Sequence, residues 1–247
     1  MHRGEKPLIH PQIMFANFFL PGEIQGIHTD VPEFRGSNRQ NTPEWMLVAM
    51  HHSGLFARHY MTICTAVAWF SNHKGGELCY YPDPSKPGVP LPTPFNSALV
   101  VDTDSVYHGV DPNGGLQTPA PVVPLGCRLV HKGAGRWCVN RGDGTTIERY
   151  ADLSWDDIRL SVQWKAYCFK DEDERQLWLN HTDDIRPVDA FNTLVDAVKR
   201  AGVLALDSDA DVRGTIKAIT QHFIRVPDEL QRVHDPPAAQ GVAAAKL

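Results

Sequence analysis

The chain has few cysteines, no cluster of basic residues and no long apolar run, and each shortage excludes a class of protein. The five cysteines, Cys64, Cys79, Cys127, Cys138 and Cys168, are odd in number and form no C-x-x-C pair. That argues against a disulfide framework and leads us to expect a reduced, cytoplasmic protein. Lys and Arg total 24 against 29 Asp and Glu, for a net charge of −5, and the basic residues are scattered. Neither nucleic acid nor an anionic membrane surface is therefore expected as a partner. No apolar stretch approaches the roughly 20 residues of a membrane helix. The N-terminal "MHRGEKPLIHPQ" has no signal-peptide core. What is present is 247 residues with 42% apolar content, enough for one sizeable core.

Local patterns give strands first and helices last. "IMFANFFL", a Pro21-Gly22 turn and "EIQGIHTDV" predict two strands over 13–30. Residues 31–57 predict a long polar excursion with aromatic islands at Phe34 and Trp45. "HYMTICTAVAWF" (59–70) and "ELCYYP" (77–82) predict strands joined by "NHKGG". The stretch 82–94 holds six prolines and predicts a surface loop, because proline cannot pair in a central strand. "SALVVDTDSVYHGVD" (97–111) predicts strand, turn and strand; 127–150 predicts hairpins; "RLSVQWKAYCF" (159–169) predicts the last strand. "DEDERQLWL", "RPVDAFNTLVDAVKRAG" and "DSDADVRGTIKAITQHFIRV" are the candidates for two or three helices. In the second, Val188, Phe191, Leu194, Val195 and Val198 share a face, with Gly202 at its end. The tail 235–247 is low-complexity and predicted to be disordered. Short strands with Gly/Pro turns point to a mainly β sandwich or barrel.

One triplet occurs twice, as His28-Thr29-Asp30 and as His181-Thr182-Asp183. On a strand, i and i+2 share a face, so His28 and Asp30 can grip one ion while Thr29 points away. His108, in "DSVYHGV", is the best third ligand, with Gly109 leaving room beside it. Two histidines and one carboxylate form the facial triad of non-haem Fe(II) sites, with positions left open for co-substrate and O2. The second triplet follows a charged helical segment, and Thr182 or Asp183 reads as a turn or cap. The surplus histidines His51, His52, His59 and His73 read as solvated or structural.

His28-Thr29-Asp30, Gly75-Gly76-Glu77-Leu78, "VVDTDSVYHGV" and "RLSVQWKAYCF" follow one another as in the Fe(II)/2-oxoglutarate-dependent dioxygenases, and the chain resembles that superfamily from about Phe15 to Phe169. The resemblance implies a double-stranded β-helix, a jelly-roll or cupin-like core, over 1–170. A helical C-terminal extension follows over 171–234, and 112–150 is a hairpin insertion. It implies that His28, Asp30 and His108 bind Fe(II), with 2-oxoglutarate and O2 as co-substrates and no catalytic residue beyond the metal ligands. It implies a basic residue for the far carboxylate of 2-oxoglutarate. Arg159, with Ser161 two residues on, matches; Arg128 is the main rival and Arg136 a third. Tyr60 and Thr62 are weaker co-substrate candidates. Phe34, Arg35, Arg39 and Trp45 are candidates for a substrate lid. The expected reaction is hydroxylation of a small molecule with release of succinate and CO2.

Only 27 residues precede His28. A core without further support strands would leave an exposed edge, and a homodimer through such an edge is an expectation. Two other readings stand beside the oxygenase. One is a cupin-like metalloenzyme that uses the triad without 2-oxoglutarate. The other is a non-catalytic binding or scaffold protein with a degenerate site, working through its helices and proline-rich loop.

Overall fold

β1 (Leu8–Phe19) is built from alternating β-formers, and it runs the length of β11 (Arg159–Phe169), from Leu8 opposite Phe169 to Phe19 opposite Arg159. Its one irregularity lies between Pro11 and Ile13. Proline has no amide to give the ladder, so the register slips there. This computed structural model describes residues 5–83, 86–203 and 211–224. The predicted disordered tail 235–247 lies outside the described residues.

Two compact units divide the chain. One comprises Met1–Asp30, Thr62–Tyr81 and Gly88–Glu172; the other gathers Val31–Met61 with Pro82–Pro87 and the residues from Asp173 onward. The first unit is mainly β and its pairings are antiparallel. One four-stranded sheet has the order β1-β11-β3-β6, with β3 at Thr62–Trp69 and β6 at Ser97–Val101. Another has the order β2-β7-β4-β5, with β2 at Gln25–His28, β7 at Tyr107–Val110, β4 at Leu78–Tyr81 and β5 at Val89–Leu91. The two sheets face each other. Trp69 from the first and Leu78 and Val110 from the second form one buried cluster, joined by Phe19, Val67, Leu91 and Leu99. Polar inward positions on these strands therefore lie in the space between the sheets.

β5 adds a short strand inside the proline-rich stretch that the sequence predicts as a loop. It lies at the sheet edge and pairs through Val89–Leu91, a place where Pro90 is tolerated. Between β7 and β11 in the chain lies a third sheet, β10-β9-β8, with β8 at Arg128–Gly133, β9 at Arg136–Asn140 and β10 at Leu153–Ser154. Leu20, Val139, Ile147, Tyr150, Leu153 and Ile158 form a core beside it.

The second unit corrects the reading of 31–57 as a polar excursion. Helix α1 (Glu44–Ser53) lies there, starting after Pro43 and ending at Gly54 in the left-handed region. Met46, Leu47, Ala49 and Met50 are buried on it. Flanking Pro, Gly and Asn residues hide a ten-residue helix from a pattern search, since its apolar stripe spans only three turns. α2 (Glu172–Leu179) has no buried residue. α3 (Pro187–Arg200) and α4 (Val212–Phe223) contribute Ala190, Leu194, Val198 and Ile219 to the α1 core, which also holds Phe34 and Phe56. Val188, predicted on the buried face of α3, is 55% exposed; Ala190 takes its place, four residues before Leu194. Among the described residues, no helix is long and apolar enough to cross a membrane.

Candidate metal centre

The pairing of β2 with β7 sets His28 directly opposite His108. The rings lie 4.3 Å apart between centroids. Gly109 lets the strands approach, because a Cβ there would sit 2.9 Å from the Gln25 carbonyl oxygen. Asp30 follows β2, and its backbone N–H donates to Thr103 O at 2.9 Å. One ligand atom from each of His28, Asp30 and His108 lies within 4.8 Å of the others. His28 Nε2 lies 3.8 Å from Asp30 Oδ1.

Both imidazoles are oriented by backbone carbonyls, which can only accept. His28 Nδ1 donates to Gly26 O at 2.7 Å and His108 Nδ1 donates to Val106 O at 3.0 Å. The proton therefore sits on Nδ1 in each ring, and each Nε2 keeps a lone pair for a metal. Burial holds the His108 imidazolium well below the usual histidine range, helped by His28 and Lys165 and opposed by the Val106 bond and Asp30. A neutral imidazole is the ligating form. The donor set thus fits a divalent first-row metal.

Three residues that the sequence reading did not single out complete this centre. Lys165, on β11, donates from Nζ to Asp30 Oδ2 at 2.6 Å. The side-chain amide of Gln25 lies 3.2 Å from His28 Nε2. Thr103 Oγ1 lies 2.8 Å from Thr65 Oγ1, and its side chain also bonds Asp30. Burial pushes the Asp30 carboxyl up, but the Lys165 ammonium and the Lys165 and Thr103 hydrogen bonds outweigh it, and the net shift is downward. Strand period offered one signal for Lys165: Arg159, Ser161, Gln163 and Lys165 are alternate residues of β11.

A cavity of about 50 Å³ lies between the sheets, lined by Asp30, Thr103, His108, Arg159, Ser161 and Gln163 among others. Arg159 is 2% exposed. Its Nε donates to Gly76 O at 2.8 Å, and its Nη1 donates to Ser161 Oγ at 3.3 Å. Its guanidinium lies 5.3 Å from the Phe19 ring centroid. No carboxylate among the described residues forms a salt bridge with it; burial pulls its pKa down to about 10, against the attraction of the more distant Glu77. A buried cation without an anion is costly unless an anion arrives. That is the observation by which Arg159 and Ser161 fit a carboxylate ligand.

Arg128 is exposed on β8 opposite Asn140, and Arg136 pairs with Asp152; neither lines the cavity. Tyr60 packs on the core of the second unit, its ring 5.8 Å from that of Phe34. Thr62 opens β3 opposite Cys168 and does not line the cavity. The lid candidates make their contacts within the second unit. Phe34 is 3% exposed in the α1 core, with Trp45 packed against it. Arg35 Nε and Nη2 clamp Asp183 at 2.7 and 2.8 Å. Arg39 pairs with Glu44. Asp183 of the second triplet is thus an ion-pair partner rather than a cap, and exposed His181, at φ 53°, bonds Asp184 at 2.8 Å. His51 and His52 end α1 rather than lying in a loop.

No family model matches the chain, and no curated protein matches it. Among solved structures, the crystal structure of an oxidoreductase of the 2OG-Fe(II) oxygenase family from Burkholderia pseudomallei is similar at TM-score 0.34 and 12% identity, covering 68% of this chain. The chain spans 46% of that protein's length. A likeness at this score carries no argument about activity.

Proposed function

We propose that the chain is a non-haem Fe(II)- and 2-oxoglutarate-dependent oxygenase that hydroxylates a small molecule and releases succinate and CO2. The observation that carries this reading is the convergence of His28, Asp30 and His108 on one point, with each Nδ1 turned away onto a carbonyl. The strand orders β1-β11-β3-β6 and β2-β7-β4-β5 support a double-stranded β-helix, with the third sheet as an insertion between its last two strands.

His28 Nε2, His108 Nε2 and an Asp30 oxygen would hold the metal. Arg159 and Ser161 would hold the far carboxylate of the co-substrate, a planar fork and a hydroxyl on one strand face. When bound, Fe(II) and 2-oxoglutarate supply the power to activate O2 toward an unactivated C–H bond. The chain's own residues orient and enclose. The Gly26 and Val106 carbonyls fix the ring tautomers, Thr103 and Lys165 fix the carboxylate, and Phe19 and Trp69 cover the guanidinium.

Anaerobic addition of Fe(II) and 2-oxoglutarate should give a visible charge-transfer band. Folded protein that shows none sinks the proposal. Succinate release across a compound panel would then find the substrate.

One observation favours a second reading, a metal-free binding protein: Lys165 and Gln25 already contact two of the three ligand residues. Folded protein that takes up no divalent ion would select it. A cytoplasmic, reduced setting is part of the proposal, supported by five free thiols. So is a homodimer through edge strand β1, where Ile9, Ile13, Met14, Phe15 and Phe18 are exposed. Light scattering on a concentration series tests it, and a monomer throughout removes it.

A further inference from the structure

Lys165 lies 135 residues from Asp30 in the chain, yet its ammonium is 2.6 Å from the carboxylate that the metal reading assigns as a ligand. Neither partner is free in water: the side chains are 21% and 18% exposed. An isolated carboxylate there would be costly, and an internal ammonium relieves that cost. Gln25 does the same for a lone pair, since His28 Nδ1 carries the ring proton and Nε2 can only accept from the amide. Two of the three ligand residues are therefore contacted by in-chain donors, Lys165 on Asp30 Oδ2 and Gln25 on His28 Nε2, while Asp30 Oδ1 faces His28 Nε2 at 3.8 Å.

We infer that Lys165 is a resident counter-cation of the triad, which competes with a divalent metal for Asp30 and sets how tightly the site takes up that metal. This rests on the metal-centre reading above. A divalent ion on Asp30 and an ammonium on the same carboxylate repel each other. Uptake must therefore overcome the repulsion or push Lys165 off the carboxylate. The charge of Lys165 is the operative property, because the side chain is held by one ion pair and its stem can lie along apolar surface.

The test is a titration with Co(II) alone, followed by d–d absorption and by the thermal midpoint, on wild type, Lys165→Met and Lys165→Arg. Lys165→Met should bind Co(II) at least tenfold more tightly than wild type. Without metal it should melt lower, because Asp30 has lost its partner, and Co(II) should raise its midpoint by more than it raises that of wild type. Lys165→Arg keeps the charge and should bind within about threefold of wild type. Equal or weaker binding by Lys165→Met overturns the inference while leaving the metal centre standing. So does an arginine variant that binds as tightly as the methionine one, since charge is then not the cause. If neither folded wild type nor folded Lys165→Met takes up Co(II), the metal centre itself falls and the inference falls with it.

Discussion

His28 and His108 face each other as register partners across β2 and β7, and their Nδ1 atoms each bond the carbonyl two residues earlier in the chain. The same local hydrogen bond in both leaves each Nε2 its lone pair beside Asp30. His108→Ala should therefore cost at least about 100-fold in Co(II) affinity. It should also abolish the charge-transfer band. His181→Ala, at the exposed second triplet, should change neither. Isothermal titration of both variants checks this, and a matching loss in His181→Ala would refute the assignment of the first triplet.

Arg159 is a buried cation with no salt-bridge partner among the described residues, Glu77 acting on it only from a distance, so an incoming carboxylate should be held strongly. Arg159→Met should weaken 2-oxoglutarate binding by about 2–4 kcal/mol, roughly 30- to 1,000-fold in Kd, while Co(II) affinity stays unchanged. Methionine removes the desolvation cost, so the thermal midpoint should be equal or higher. If 2-oxoglutarate binds Arg159→Met and wild type alike, the cupin-like alternative without that co-substrate gains.

Gly76 offers a milder route to the same anchor. It sits at φ +67°, and a Cβ there would lie 2.8 Å from Arg159 Cδ. Gly76→Ala should displace the guanidinium and weaken 2-oxoglutarate binding, leaving Co(II) binding intact. Gly75 differs: its Cβ would meet the Gly115 backbone nitrogen at 2.4 Å. Gly75→Ala should lower the thermal midpoint of the fold itself.

In the second unit, Arg35 and Asp183 form a two-pronged ion pair with side chains 4% and 13% exposed. Arg35→Ala leaves a carboxylate unpaired and should destabilise by about 3–5 kcal/mol in urea unfolding. The Arg35 hydrogen bonds hold the Asp183 carboxyl below the usual carboxylate range, against burial. A depressed folded-state pKa makes the stabilisation fully present above the unfolded value of about 3.9 and loses it as pH falls through the folded one. Wild-type urea midpoints should therefore drop below about pH 4 by more than those of Arg35→Met/Asp183→Leu.

How much was legible beforehand follows from the range of the interactions. The β11 strand, the left-handed backbone of Gly75 and Gly76 and the α3 helix end at Gly202 are written in neighbouring residues, because backbone preference acts over one or two turns. The packing of the lid candidates was not legible, for the opposite reason. Phe34, Arg35 and Trp45 stand close to the triplet in sequence, but their side chains answer to Leu194, Val198 and Asp183 from the far end of the chain.

By itself the sequence determined the strand-rich first part, the helices that follow, and a His-x-Asp at a strand with a second histidine downstream. Strand period predicts His28 and Asp30 on one side, but β2 ends at His28 and Asp30 lies just beyond it. Only tertiary structure decided that His108 pairs with His28, that Arg159 rather than Arg128 lines the cavity, and that Lys165 reaches Asp30. Those facts depend on which strands become neighbours, and strand pairing brings together residues whose separation along the chain carries no signal of their contact.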